Sequence, residues 1–214
     1  MESWINTHIT LPEHVTLSDE MENAISHFIG FILSLAGLLY VMMHPGCNAA
    51  MIIYTVTEAV MFGASAFYHY LDRGVMKKAL RVVDHSAIYL LIAGSYTPVL
   101  MHVGTTLTDL YVVAIWAAAA LGIVLTLLFW DKFKILHVAL YAVMGWSIVS
   151  IWDEVVPTLS PELFKCILAG GIVYTLGIIF YAAKSIKHHH LIWHIAVAAA
   201  SMIFFAGYTS YLLA

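Results

Sequence analysis

The chain has 214 residues, of which 62% are hydrophobic and 10% charged, with a formal net charge of −4. Soluble domains are nearer half apolar and about a quarter charged, so a water-soluble globular fold is excluded and an integral membrane protein is expected. Nine Lys and Arg residues are too few and too dispersed for a nucleic-acid interface.

The first 22 residues contain Glu2, Glu13, Asp19, Glu20 and Glu22 but no Lys or Arg. A cleavable signal peptide begins with positive charge, so residues 1–22 are expected to form a tail ahead of an uncleaved signal anchor. A membrane span needs about 20 mostly apolar residues. Charge and turn clusters divide the chain into seven such stretches, at about 23–43, 48–71, 83–103, 109–129, 133–152, 161–183 and 190–213. Backbone with unpaired polar groups cannot face lipid, so these should be helices in one bundle. The expected fold is all-α, a seven-transmembrane-helix domain over residues 23–214, with short connections and no linker, repeat or low-complexity tract.

Arg73, Lys77, Lys78 and Arg81 are expected between spans two and three, Lys132 and Lys134 between four and five, and Lys184 and Lys187 between six and seven. These loops share one face of the membrane, and Lys165 alone lies toward the other. The positive-inside bias therefore places the N-terminus in the cytoplasm and the C-terminus outside. Acidic residues in the tail carry little weight in that rule.

His69 closes span two, four residues beyond Ser65 in SAFYH. Asp84 opens span three, and His190 and His194 open span seven. All four belong at cytoplasmic depth. Residues four apart share a helix face, so His190 and His194 form a pair that a third imidazole can complete. A single histidine near a membrane interface is ordinarily a hydrogen-bonded boundary residue. Ionisable groups gathered at one depth on three helices usually pair and mark function. Three imidazoles at about 2.0–2.1 Å hold zinc with a fourth position left for water, whose pKa falls toward neutrality. Asp84 is then the candidate general base, or the acceptor that holds this water. Ser65 can donate a hydrogen bond to the water or to a developing oxyanion, or simply serve helix packing.

The segments SDEMENAISHFIGF (18–31), SAFYH (65–69), DHSAIYLLIAGSYTP (84–98), VYTLGIIFYA (173–182) and HLIWH (190–194) resemble bacterial hemolysin III proteins nearly end to end. That family is related to the adiponectin and progestin receptors and more distantly to alkaline ceramidases. The resemblance implies seven helices and a zinc site near the cytoplasmic side, with His69, His190 and His194 as ligands and Ser65 and Asp84 close to the zinc water.

Glu58 departs from the family pattern. It falls on the stripe of Ser65 and His69, about 16 Å deeper by helical rise, and either lines a cavity above the metal or is a neutral carboxyl bonded to a neighbouring helix. His27 is a candidate partner of the metal ligands or a structural hydrogen-bonding residue. His188 and His189 are expected to be solvated, and His8, His14, His44, His102 and His137 have no spacing that recommends them. Cys47 and Cys166 would lie near the outer face, where a disulfide is permitted, although cysteines in separate apolar contexts are usually unpaired. The alanines at 117–120, with Gly122, Gly170 and Gly171, read as close-packing surfaces. Span seven contains no lysine, which excludes a retinal Schiff base.

The first functional expectation is a zinc-dependent hydrolase of the bacterial plasma (inner) membrane, acting on a lipid amide or ester. The alternatives are a non-catalytic sensor or regulator of membrane lipid with a structural zinc, and a cytolytic pore. The partner in the first two is a membrane lipid, as substrate or ligand; substrate and oligomeric state are left open.

Overall fold

The computed structural model describes residues 2–12, 15–130, 132 and 134–213, with side chains for all of these except 2, 3, 134 and 135. His14 and Glu13, and Phe133 at the expected start of the fifth span, lie outside the described residues. The elements are α1 (Glu2–His8), α2 (Leu17–Met43), α3 (Ala49–Tyr70), α4 (Val75–Val103), α5 (Thr106–Leu128), α6 (Lys134–Trp146), a 3-10 turn (Ser147–Ile151), α7 (Trp152–Val155), a second 3-10 turn (Val156–Thr158), α8 (Pro161–Ala182) and α9 (His189–Tyr211). Among the described residues, seven candidate spans are long and apolar enough to cross a membrane, the fifth running Leu136–Thr158. The protein is all-helical and multi-pass.

Side chains that satisfy free backbone groups set several helix ends. Thr16 and Asp19 form a capping box that starts α2 at Leu17, ahead of the expected residue 23, because a capped helix can run past the apolar segment into polar sequence. Asn48 accepts from the Met51 N–H at 3.0 Å to start α3, and Ser160 with Pro161 starts α8. Gly104, at φ +65°, ends α4 in the left-handed conformation that glycine adopts without a Cβ penalty.

A larger departure concerns α4, which begins at Val75 and not near residue 83. Lys77, Lys78 and Arg81 are therefore helical and not in a loop. Their cationic ends bind carbonyls of the chain: Lys78 donates to Asn6 O at 3.1 Å, Arg73 to Pro12 O at 2.9 Å, and Arg81 to Thr10 O. The tail is thereby folded against the start of α4, with Ile9 buried. Hydropathy alone cannot detect such an extension, since basic side chains on an apolar helix bury their stems and place only the charge elsewhere.

Helix α2 packs along α3, α3 along α4, α4 along α5, and α8 along α9, while α9 also lies against α2. Helices α3 and α4 are the inner pair. The fifth span is irregular, and its freed backbone groups are met by tyrosines. Tyr96 Oη lies 2.7 Å from Met144 O and 2.8 Å from Gly145 O, and accepts from the Ile148 N–H at 3.0 Å. Tyr111 donates to Ser147 O at 2.6 Å. Such protein partners are what make broken helix tolerable at membrane depth. Between α4, α6, α8 and α9 lies a cavity of about 650 Å³ with mainly apolar walls.

Close helix approach occurs at Gly94, where a Cβ would collide with Thr57, at Gly122 against Tyr89, and at Gly170 against Phe204. Gly171 does not join them: the nearest atoms are on the Trp146 ring at 4.0 Å. Of the alanines at 117–120, Ala119 is the buried one. Overpacking costs about 1–3 kcal/mol, so Gly94→Leu should lower the thermal midpoint of the detergent-solubilised protein. Gly145→Ala, where nothing lies within 4 Å, should leave that midpoint unchanged or slightly raised.

Candidate functional site

The end of α3 and the start of α9 meet at one corner of the bundle and bring three histidines together. Ring centroids are 5.2 Å apart for His69 and His190, 5.0 Å for His69 and His194, and 4.7 Å for His190 and His194. Each residue offers one ring nitrogen, and these nitrogens lie within 4.8 Å of one another, so the group could hold a metal ion. His69 and His194 are buried and His190 is half-buried.

Hydrogen bonds on the outer side of the rings decide which nitrogen points inward. His69 Nδ1 donates to Glu20 Oε2 at 2.6 Å. His69 Nε2 is buried and has no hydrogen-bond partner in the protein. His194 Nδ1 is 3.2 Å from Asn23 O and 3.2 Å from Ser26 Oγ. A neutral imidazole with its proton on the outward nitrogen presents a lone pair on the other. A buried polar atom without a partner is otherwise rare. The residues thus fit a metal, and an all-imidazole donor set suits zinc, copper, iron or nickel.

Asp84 lies in the third turn of α4, outside the nitrogen group, with its side chain 15% exposed and Oδ2 3.5 Å from His85 Nδ1. The better partner of that His85 nitrogen is Arg81 O, at 2.9 Å. Ser65 is fully buried one turn before His69, with its hydroxyl beside the Asp84 carboxylate. Asp84, Ser65, His190 and His194 all line the large cavity, whose apolar walls extend away from them.

His27 also lines this cavity. In place of a structural hydrogen bond, it stacks face to face on His194, with centroids 3.6 Å apart and planes at 10°. Both of its ring nitrogens are unengaged by protein. His137, which its spacing did not recommend, is on the cavity wall with Nδ1 3.2 Å from Tyr89 Oη.

Glu58 is 3% exposed and lines a separate cleft of about 300 Å³ between α2, α3 and α9, not the large cavity. Tyr54 Oη lies 2.5 Å from Glu58 Oε1 and 2.9 Å from Ser201 O, so the acid is tied to α9 through a tyrosine of its own helix. Cys47 and Cys166 are both free. His188, expected to be solvated, has φ 58° and places Nδ1 2.9 Å from Glu22 Oε2 and 3.9 Å from Asp19 Oδ1. These three residues are close enough to share a cation, but they are partly exposed, and the His188–Glu22 contact ties the start of α9 to α2.

Two residues of the site were not singled out in the sequence. Glu20 reaches His69 from α2, and Lys77, 3% exposed, sits behind it with Nζ 3.0 Å from Glu20 Oε1. Lys77 Nζ also donates to Tyr68 O at 2.9 Å, Leu71 O at 3.0 Å and His69 O at 3.3 Å, the free carbonyls at the end of α3. One signal was present: Glu20, Asn23 and His27 are spaced i, i+3, i+7, one stripe of a helix.

Comparison with known proteins identifies relatives. A model of the family described as Haemolysin-III related matches residues 15–205. The chain is 34% identical over 197 residues to the Hemolysin-3 homolog of Bacillus subtilis (strain 168), covering 89% of this chain and 92% of that protein. It is 34% identical over 208 residues to Hemolysin-3 of Bacillus cereus, covering 92% and 93%. Against the human Monocyte to macrophage differentiation factor the identity is 29% over 174 residues, covering 75% and 69%. The last is a member of the adiponectin and progestin receptor group.

Removing Lys77 would strand three carbonyls and one oxygen of the Glu20 carboxylate, and an orphaned buried acceptor costs about 1–3 kcal/mol. Lys77→Met should therefore lower the thermal midpoint clearly more than Lys78→Met, whose partner is a single exposed carbonyl. Equal midpoints for the two variants would contradict this account of the α3 terminus.

Proposed function

The chain belongs to the haemolysin-III related family, and from that footing we propose that it is a zinc-dependent hydrolase that cleaves an amide or ester of a membrane lipid. In this reading it resides in the bacterial plasma membrane with its N-terminus in the cytoplasm, and the site lies at the depth of the inner leaflet. Arg81, Lys132 and Lys184 line the same cavity as His190 and His194, which supports placing that end toward the cytoplasm.

The observation that carries the proposal is the position of the histidine group. Two of the three imidazoles, His190 and His194, line a mainly apolar cavity together with the Asp84 carboxylate and the Ser65 hydroxyl, and His69 completes the group beside them. Ligand sites are typically cavities of about 300–1,000 Å³, mostly apolar with a few convergent polar groups. Zinc held by His69, His190 and His194 would supply Lewis acidity and bring the pKa of a water toward neutrality.

The chain's own residues account for the remaining requirements. The apolar walls hold the acyl chain and exclude bulk water from the reacting carbonyl. Asp84 accepts a proton at its carboxylate from the attacking water and returns it to the leaving amine or alkoxide, as the carbonyl carbon exchanges its C–N or C–O bond for one to the water oxygen. Ser65 Oγ donates to the carbonyl oxygen as negative charge develops on it. Products are a fatty acid and an amine or alcohol.

The triad also joins α3 to α9, and this favours a second reading in which the ion fastens the two helices and the cavity binds lipid without turnover. Incubation of the purified protein with a panel of lipid amides and esters separates the two. Fatty acid release is expected, lost on chelation and restored by zinc. Asp84→Asn should lower kcat about 10²–10⁴-fold while retaining metal, and His194→Ala should lose the metal as well. Absence of turnover across the panel, with zinc still raising the thermal midpoint by mass action, would defeat the hydrolase and leave the fastening role.

Zinc content offers a separate measurement. Metal analysis should find about one equivalent in the wild type, and none in His190→Ala. The pair Asp19→Asn and Glu22→Gln should leave it unchanged.

A further inference from the structure

We infer that α2, which contributes no member of the histidine group, sets the ring orientation of two of its members, and that Glu20 is the positioning residue for His69. The inference rests on the proposed metal role of the triad.

Three residues of α2 reach the outer edges of the site. Glu20 Oε2 accepts from His69 Nδ1 at 2.6 Å. Asn23 O and Ser26 Oγ each lie 3.2 Å from His194 Nδ1, and Ser26 Oγ donates to Asn23 O at 2.8 Å, leaving its lone pairs free to accept from the imidazole. His27, next in line, stacks on the His194 ring. Two of the three imidazoles are thus held from behind by one helix.

The two arrangements differ in strength. His194 meets neutral acceptors at ordinary distance, whereas His69 meets a carboxylate in a short contact, the stronger kind of hydrogen bond. Glu20 is itself braced: Oε1 is 3.0 Å from Lys77 Nζ, which is anchored on the carbonyls of Tyr68, His69 and Leu71. The carboxylate therefore cannot swing away without releasing Lys77. A carboxylate on the outer nitrogen keeps the proton at Nδ1, aims the Nε2 lone pair into the group, and makes that nitrogen a better donor to a metal.

A purely structural role would make Glu20 a mere counter-ion for Lys77, and the variants distinguish this. Zinc affinity is read by competition with a chromophoric chelator on the purified full chain. Ligand geometry is read from the visible absorption of the cobalt-substituted protein. Glu20→Ala should weaken zinc about a hundredfold and Glu20→Gln, which keeps an acceptor but not the charge, about tenfold. Both should shift the cobalt bands. Lys77→Met should lower stability yet leave the bands in place, because the Glu20–His69 contact survives. If Glu20→Ala does not fold, Glu20→Gln against Lys77→Met carries the same contrast. Zinc affinity and cobalt bands unchanged in the Glu20 variants, or an equal loss in Lys77→Met, would overturn the inference and spare the metal reading. A wild-type chain that binds no zinc would overturn the metal reading itself.

Discussion

A polar group withdrawn from water into a bundle bathed in lipid must find its partner inside the protein, and the corner where α2, α3, α4 and α9 meet is organised by that demand. Lys77 engages three carbonyls at the end of α3 and one oxygen of Glu20; the other oxygen of Glu20 engages His69; on the far side, His194 reaches Asn23 and Ser26. An uncompensated buried charge costs several kcal/mol, so the loss of one member of this chain of contacts leaves its neighbours short of a partner. The result is four helix segments held in register, with one ring nitrogen from each of three imidazoles within 4.8 Å of the others. The metal-binding capacity of the corner follows from how the surrounding polar groups are satisfied.

The opposite requirement governs the other half of the bundle. A cavity of this size needs helices that do not close on one another, and the fifth span lines it along its irregular course from Ser147 to Thr158. Its backbone would be unsatisfied in lipid, but Tyr96 and Tyr111 bond it from α4 and α5. The closely packed pairs α3–α4 and α8–α9 keep the walls in place, with Gly94 and Gly170 permitting the approach. Rigid packing on one side and satisfied irregularity on the other bring the histidine corner and the apolar space into one continuous site.

Much of this site was legible because its signals are local. Ser65 and His69, like His190 and His194, are four apart on single helices, and their positions at the ends of apolar stretches put them at one depth. Lys77 was misassigned to a loop because a hydropathy pattern ends where charge begins, whereas a helix ends where its backbone partners do. Glu20 was taken for part of an acidic tail; its partner is 49 residues away in the chain. His27 resembled a hydrogen-bonding residue, and its stacking on His194, 167 positions on by their numbers (194 − 27), is not encoded in any spacing. Glu58 shares a stripe with Ser65 and His69 by helical period, yet it lines a cleft between α2, α3 and α9 and not the cavity that Ser65 lines.

The sequence by itself determined the class of the protein, the number of its spans and the identity of the three histidines, since apolar length and helical period are properties of one segment at a time. Only the tertiary structure decided which nitrogen of His69 and of His194 bonds outward to α2, which carboxylate stands behind His69, and that the cavity lies between α4, α6, α8 and α9. Those features depend on distances between helices remote in sequence, and such distances are set by the simultaneous packing of all seven spans and the pairing of every polar group they withdraw from water.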